Sequence, residues 1–337
     1  MKKNGVSIVS LAVAAFLGGG LSYLFLAADG APAVEATSNT TPSPKPGPDC
    51  AYTIVRVEGY KRVRPLLYSE PMCESPRFDA LRNSIGTLID GMKAGGQIAS
   101  ASVYLRDFQK AEWTWYNGDE PYDPGSMLKV PVLLAWLSMY EEDPSLMERT
   151  FRCEQRDVDV LNTTAFPSHQ AQLNLSYTVR QLLELSIVHS DNRATKMLLR
   201  HMSPAKYLST FTELGLQAPA MDAKVFRMTV RDYSVFMKAL YNSSLLGPID
   251  SEYALELMTR AEFTKGLVAG LPPGIDIAHK FGEAGTPQEK QLHETGLVYA
   301  DGNPYLITVM TRGSNVDSLA SAIASLSKLV YERMRAS

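Results

Sequence analysis

The sequence predicts an α+β fold of two lobes, in which a sheet assembled from both ends of the chain carries an inserted all-helical lobe. Three observations lead there. Residues 98–108 (IASASVYLRDF) alternate into a β-rich run, and 112–116 follows as a hairpin partner. From Ser126 to about Gly247 the pattern is helical, clearest at 130–140, 178–187 and 230–241. Strand character then returns at 275–281, 296–299 and 305–310, with Asp301-Gly302 as a turn signal, before a last amphipathic helix over 316–333. Strands at both ends with helices between them place the helical lobe to one side of the sheet.

Taken in order, the chain starts with Lys2 and Lys3, followed by a charge-free apolar run over 4–28. Such a run is long enough to cross a hydrocarbon core about 30 Å thick. The lysines predict that the start stays in the cytoplasm and that the rest is exported. The segment 1–28 is thus expected to be a transmembrane signal anchor holding an extracytoplasmic domain. A cleaved signal peptide, cut near Ala31-Pro32-Ala33 and giving a secreted protein, is the alternative. Residues 29–49 are rich in Ala, Ser, Thr and Pro and read as an extended spacer. An N-terminal extension at 50–80 and one large domain at 81–337 follow. Cys50 and Cys73 bracket the extension and are able to pair in an oxidising compartment, though sequence does not fix their separation.

Composition narrows the function. With 33 Lys+Arg against 36 Asp+Glu, 45% hydrophobic and 20% charged residues, the chain is neither disordered nor basic enough to suggest a nucleic-acid partner. Three cysteines are too few for a disulfide scaffold, and five histidines in no ligand spacing give no expectation of a metal or other cofactor. An enzyme-sized domain, expected to be a monomer, follows from this, and composition names no reaction.

Three short motifs carry the chemistry. Ser126-Met127-Leu128-Lys129 is an S-x-x-K at the head of an apolar helix, where positions i and i+3 share a face. A lysine kept neutral there by burial can take the serine proton and make a nucleophile. Two further S-x-x-K matches, Ser203/Lys206 and Ser325/Lys328, read as structural: one is at a helix N-cap, the other within the C-terminal helix. Ser190-Asp191-Asn192 is the second motif, able either to cap the helix after it or to relay a proton and orient substrate. Lys280-Phe281-Gly282, on a strand, is the third.

Each motif is weak alone, but their order and spacing (64 residues from Ser126 to Ser190, 90 from Ser190 to Lys280) form a signature of S-x-x-K, S-D-N and K-T-G. Over roughly 82–333 the chain resembles the class A β-lactamase-like serine hydrolases, the superfamily of β-lactamases and penicillin-binding proteins. The likeness rests on PGSMLKVPVLLAWL, LSYTVRQLLELSIVHSDNRATKMLL, and AHKFG followed by GLVYADGNPYLITVMTRG. It implies an antiparallel sheet flanked by N- and C-terminal helices plus an all-helical lobe. It also implies roles: Ser126 is acylated, Lys129 is its base, and Ser190 passes a proton to the leaving nitrogen. Asn192 contacts the substrate amide, Lys280 supports the substrate carboxylate, and Gly282 lets substrate approach. The backbone N–H groups of Ser126 and Glu283 form the oxyanion hole, and Arg312 is a further carboxylate-binding candidate.

Two departures qualify that expectation. Phe281 stands where the family has Thr or Ser, removing a hydroxyl that helps hold a carboxylate. The E-x-x-L-N loop, whose glutamate activates the deacylating water, is absent between Asn192 and Lys280, where the chain reads LGLQAPAMDAKVFRMTVRD. Leu161-Asn162 precedes the second motif and cannot replace it. An acid in 154–159 is the candidate to take over the missing role. The expected function is therefore an exported serine acyl-enzyme acting on a β-lactam or a peptidoglycan peptide, with slow deacylation. The alternatives are a penicillin-binding D,D-peptidase or amidase and a non-catalytic domain that binds wall fragments or antibiotics.

Overall fold

The alternating runs from the two ends of the chain meet in one sheet. The computed structural model of the chain describes residues 54–56, 60–64, 66–69, 74–158, 165–166, 169–220, 225–300 and 302–335. Its elements begin with β1 (Ile54–Arg56), β2 (Leu66–Ser69), α1 (Asp79–Ala94), β3 (Ser100–Asp107) and β4 (Trp113–Tyr116). A helical stretch follows: α2 (Lys129–Glu142), β5 (Thr150–Arg152), α3 (Gln155–Val158), β6 (Ser176–Thr178), α4 (Val179–Ile187), α5 (Asn192–Arg200) and α6 (Pro204–Thr212). The chain closes with α7 (Val230–Asn242), α8 (Pro248–Thr259), β7 (Asp276–Gly285), β8 (Lys290–Ala300), β9 (Asn303–Gly313) and α9 (Val316–Arg335).

The main sheet has the order β4-β3-β9-β8-β7 and is antiparallel throughout, so β7 is an edge strand. Period-2 alternation splits its residues between two cores. On β9, Tyr305, Ile307 and Val309 pack with Ile85 and Ile89 of α1 and Ile323 and Leu326 of α9. Leu306 and Met310 face the opposite side and join the helical lobe through Tyr233, Phe236 and the α2 residues. Helix α2 is buried from Lys129 through Leu137, which is why its sequence is apolar all round rather than striped. The expected α+β architecture, with flanking helices and an inserted helical lobe, is what forms.

Several boundaries differ from the sequence reading. The late strands run further than alternation marks, β7 by four residues at its end, β8 by six at its start and β9 by three at its end, because both faces of β8 and β9 are covered and polar residues such as Thr295, Thr308 and Thr311 are buried in the ladder. Helix α1 begins at Asp79, so the division drawn at 81 falls inside the first helix. The residues before it are built onto the body: Arg62 pairs with Asp276 at 2.7 Å, and Tyr299 donates to the Arg62 carbonyl. The anchor, the spacer, Cys50 and Cys73 all lie outside the described residues. Among the described residues no helix is long and apolar enough to cross a membrane.

Candidate active site

The segment 120–129 delivers Ser126 to the junction of the lobes. The apolar helix does not open at Ser126, as the sequence suggests. Residues Gly125–Leu128 form a 3₁₀ turn, and α2 starts at Lys129. In a 3₁₀ turn residues three apart eclipse one another, and the Lys129 N–H donates to the Ser126 carbonyl, so the S-x-x-K pair is stacked along one edge. The turn is held from three directions. Tyr233 Oη of α7 donates to the Met127 carbonyl at 2.7 Å. The Asp123 N–H donates to Gln291 Oε1 of β8, and Asp123 Oδ1 accepts from the Gly125 N–H. His293 Nδ1 accepts from the Thr311 N–H, which leaves Nε2 to carry the proton and donate to the Asp123 carbonyl at 2.9 Å. Burial pushes that imidazole down to about 3, so it stays neutral and keeps this tautomer.

Lys129 is wholly buried. Its Nζ donates to the Ser190 carbonyl at 2.5 Å, to Ser190 Oγ at 3.1 Å and to Asn192 Oδ1 at 2.7 Å. Lys280 of β7 is also buried, and its Nζ donates to the same Ser190 Oγ at 2.8 Å. One hydroxyl thus bridges two amines. Desolvation lowers the Lys129 amine to about 7, with Asp191 and Glu283 partly opposing the shift. Desolvation, reinforced by the charge of Lys129, pushes Lys280 well below the ordinary lysine range. Ser190 holds φ at +53°, a left-handed conformation rare for a residue with a Cβ. Asp191 fixes it there. Its buried carboxylate caps α5 through the Arg193 and Ala194 N–H groups and also accepts from the Ala171 N–H. The cap of this helix is therefore the middle residue of S-D-N, leaving the serine and asparagine side chains for Lys129.

Edge strand β7 meets the nucleophile turn at two glycines. Gly125 has φ +51°, and a Cβ there would lie 2.1 Å from the Glu283 carbonyl oxygen. A Cβ on Gly282 would lie 2.3 Å from the Pro124 carbonyl oxygen and 2.8 Å from the Met127 nitrogen. Two missing side chains let the backbone of 282–283 lie against the backbone of 124–127. Phe281, the departure from the family motif, turns into the core under the sheet, stacked on Phe263 at 4.3 Å with Phe166 edge-on at 6.0 Å. It is a packing residue, and Phe166 brings the 165–166 segment to this rim, where the Ala165 N–H donates to the Glu283 carboxylate.

The structure therefore gathers Lys129, Ser190, Asn192 and Lys280 into one hydrogen-bonded cluster and packs Gly282 and Glu283 against the turn that carries Ser126. It does not release Arg312 for a substrate. That guanidinium pairs with Glu120 at 2.7 Å and Glu289 at 3.2 Å and donates to the Pro121 carbonyl, which braces the loop leading to Ser126. The acids of 154–158 are likewise committed: Asp157 is buried against Arg200, and Glu154 pairs with Arg156 and Arg200. The other S-x-x-K pairs are structural as expected, with Ser203 at the N-cap of α6 and Ser325 bonded to the Ser321 carbonyl within α9. Sequence reasoning missed Asp123, Tyr233, Gln291 and His293, whose roles arise from contacts made across more than 100 residues.

Comparison with known proteins agrees with this geometry. A family model described as "Beta-lactamase enzyme family" matches residues 80–334. The extended-spectrum beta-lactamase PER-1 of Pseudomonas aeruginosa is 25% identical over 287 residues, covering 78% of this chain and 89% of its own. The solved structure of PBP-A superposes with a TM-score of 0.65 at 22% identity, covering 80% of this chain and 98% of that one. A class A beta-lactamase from Bacteroides cellulosilyticus gives a TM-score of 0.65 at 18% identity, covering 76% and 99%.

Proposed function

Because the chain belongs to the beta-lactamase enzyme family, we propose that it opens β-lactams through an ester on Ser126 and releases that ester slowly. The chain is a serine hydrolase of the β-lactamase type. In the proposed cycle Ser126 Oγ attacks the ring carbonyl and its proton passes to Lys129 Nζ. The backbone N–H groups of Ser126 and Glu283 hold the developing oxyanion. Ser190 then hands a proton to the departing ring nitrogen as the C–N bond breaks, drawing on the amine to which it is bonded. Asn192 orients Lys129 and the substrate amide, and Lys280, bonded to Ser190 Oγ, offers a hydrogen-bond donor to a substrate carboxylate. One observation carries the reading: a buried amine held near 7 contacts the serine that a second buried amine also contacts. A structural lysine has no need of that environment.

Slow release rests on where the nearby acids are spent. Asp191 accepts three backbone N–H groups, and Glu283 accepts from Ala165. With no E-x-x-L-N glutamate and with Asp191 held by three donors, penicillin-binding behaviour is favoured, with a peptidoglycan peptide as the natural substrate. Export and membrane anchoring belong to the same reading, supported by the apolar run 4–28 behind two lysines. Fractionation should place the protein in the membrane pellet, and recovery of a soluble form cut near Val34 would make it secreted. A fluorescent penicillin tests the nucleophile: wild type should carry covalent label after denaturation and Ser126→Ala should carry none. Absence of label on both would make the domain a binder rather than an enzyme.

A further inference from the structure

We propose that His169, His189 and Glu262 form a divalent transition-metal site of the zinc class on the rim beside Ser190. This inference is independent of the acyl-enzyme reading. The three residues come from three separate segments: the stretch before β6, the end of α4, and the connection after α8. One ligand atom from each lies within 4.8 Å of the others. His189 Nδ1 is 3.0 Å from Glu262 Oε2, and His169 Nδ1 is 3.9 Å from Glu262 Oε1. The two imidazoles meet edge to face with centroids 4.8 Å apart. Zinc–ligand bonds of about 2.0–2.1 Å put tetrahedral ligand atoms roughly 3.3 Å apart, so only small side-chain rotations close the set.

Two ligands are pre-positioned and one is free to move. His189 is mostly buried, and the Glu262 N–H donates to the Val188 carbonyl at 3.1 Å, which ties the carboxylate's backbone to the histidine's own segment. His169 is 79% exposed and can swing onto an ion held by the other two. Two neutral imidazoles and one carboxylate suit zinc, cobalt or nickel and do not suit magnesium or calcium, which take oxygen ligands. Three protein ligands leave a fourth position for water or a substrate group. The remaining histidines are placed otherwise: His279 and His293 are buried within the sheet, and His201 stacks on Phe151 at 3.7 Å. In the sequence the two ligating histidines lie 20 residues apart, which no motif records; only the fold brings them together.

Calorimetric titration of the tag-free, EDTA-treated full chain with ZnCl₂ tests the site, with melting temperature as a second readout. One equivalent should bind saturably and raise the melting temperature, and MgCl₂ should do neither. His169→Gln changes a largely exposed side chain and should leave the fold intact. It should weaken zinc binding by at least the ~10–100-fold that loss of a mere supporting partner costs a metal site, as should Glu262→Gln. No saturable zinc binding, equal binding in both variants, or equal binding of magnesium overturns the proposal.

Discussion

At the scale of single residues the account turns on Lys129. Its amine is brought to about 7 by burial, with Asp191 and Glu283 partly restoring the charge. Because the folded value lies far below the ordinary lysine range, the neutral, proton-accepting form gains population as pH rises through about 7. Acylation by a penicillin should rise along the same limb. Lys129→Met removes the acceptor and should slow acylation by the ~10²–10⁴-fold typical of general-base loss, and it should flatten the limb. Stopped-flow rates from pH 5.5 to 8.5 check both, and a methionine variant with wild-type rate and profile would remove Lys129 from the mechanism. The S-x-x-K and S-D-N residues were legible in the sequence because each motif sits within one turn of chain. Phe281 was legible only as a departure. Its burial against Phe263 depends on a residue 18 positions away, which no local pattern reveals.

At the scale of elements, the site is a seam between edge strand β7 and the 3₁₀ turn at Gly125–Leu128, closed by two glycines. Gly282→Ala places a methyl group 2.3 Å from one backbone atom and 2.8 Å from another, neither of which can rotate away. The strand or the turn must shift, and overpacking of this kind costs about 1–3 kcal/mol. Displacement near 1 Å at the reacting centre can cost ~10²-fold in rate, so acylation should fall far more than stability. Denaturant melts measured beside labelling rates separate the two, and an alanine variant that acylates normally would show that the seam does not position the site. Element boundaries were partly legible. The residues Leu81, Ile85, Ile89 and Met92 carry a helical period that marks α1, the N-terminal flanking helix that the resemblance implied. The full length of β8 and β9 was hidden, because buried threonines in a doubly covered sheet do not alternate with apolar neighbours.

At the scale of the whole molecule, the sheet separates two cores, one shared with α1 and α9 and the other with the helical lobe, and the site lies where α2, the end of α4 and β7 converge. That division was visible in the order of strands, helices and strands, because segments far apart in sequence must pair to complete a sheet. The cradle of Asp123, Tyr233, Gln291 and His293 was not visible, since the contacts of Gln291 and His293 with Asp123 and of Tyr233 with Met127 join residues more than 100 apart and have no local trace. The same holds for the carboxylates. Sequence order showed that the family's deacylating glutamate is missing, and the fold adds that Asp191 and Glu283 are engaged by backbone N–H groups. Without a positioned base, ester hydrolysis forgoes the ~10²–10⁴-fold that such a group contributes. Time-resolved intact-protein mass spectrometry after mixing with a penicillin tests this central claim most directly. The account predicts one long-lived adduct, mapped to Ser126, with a burst of one equivalent of ring opening and a slow phase after it. Rapid multiple turnover with no accumulated adduct would contradict it.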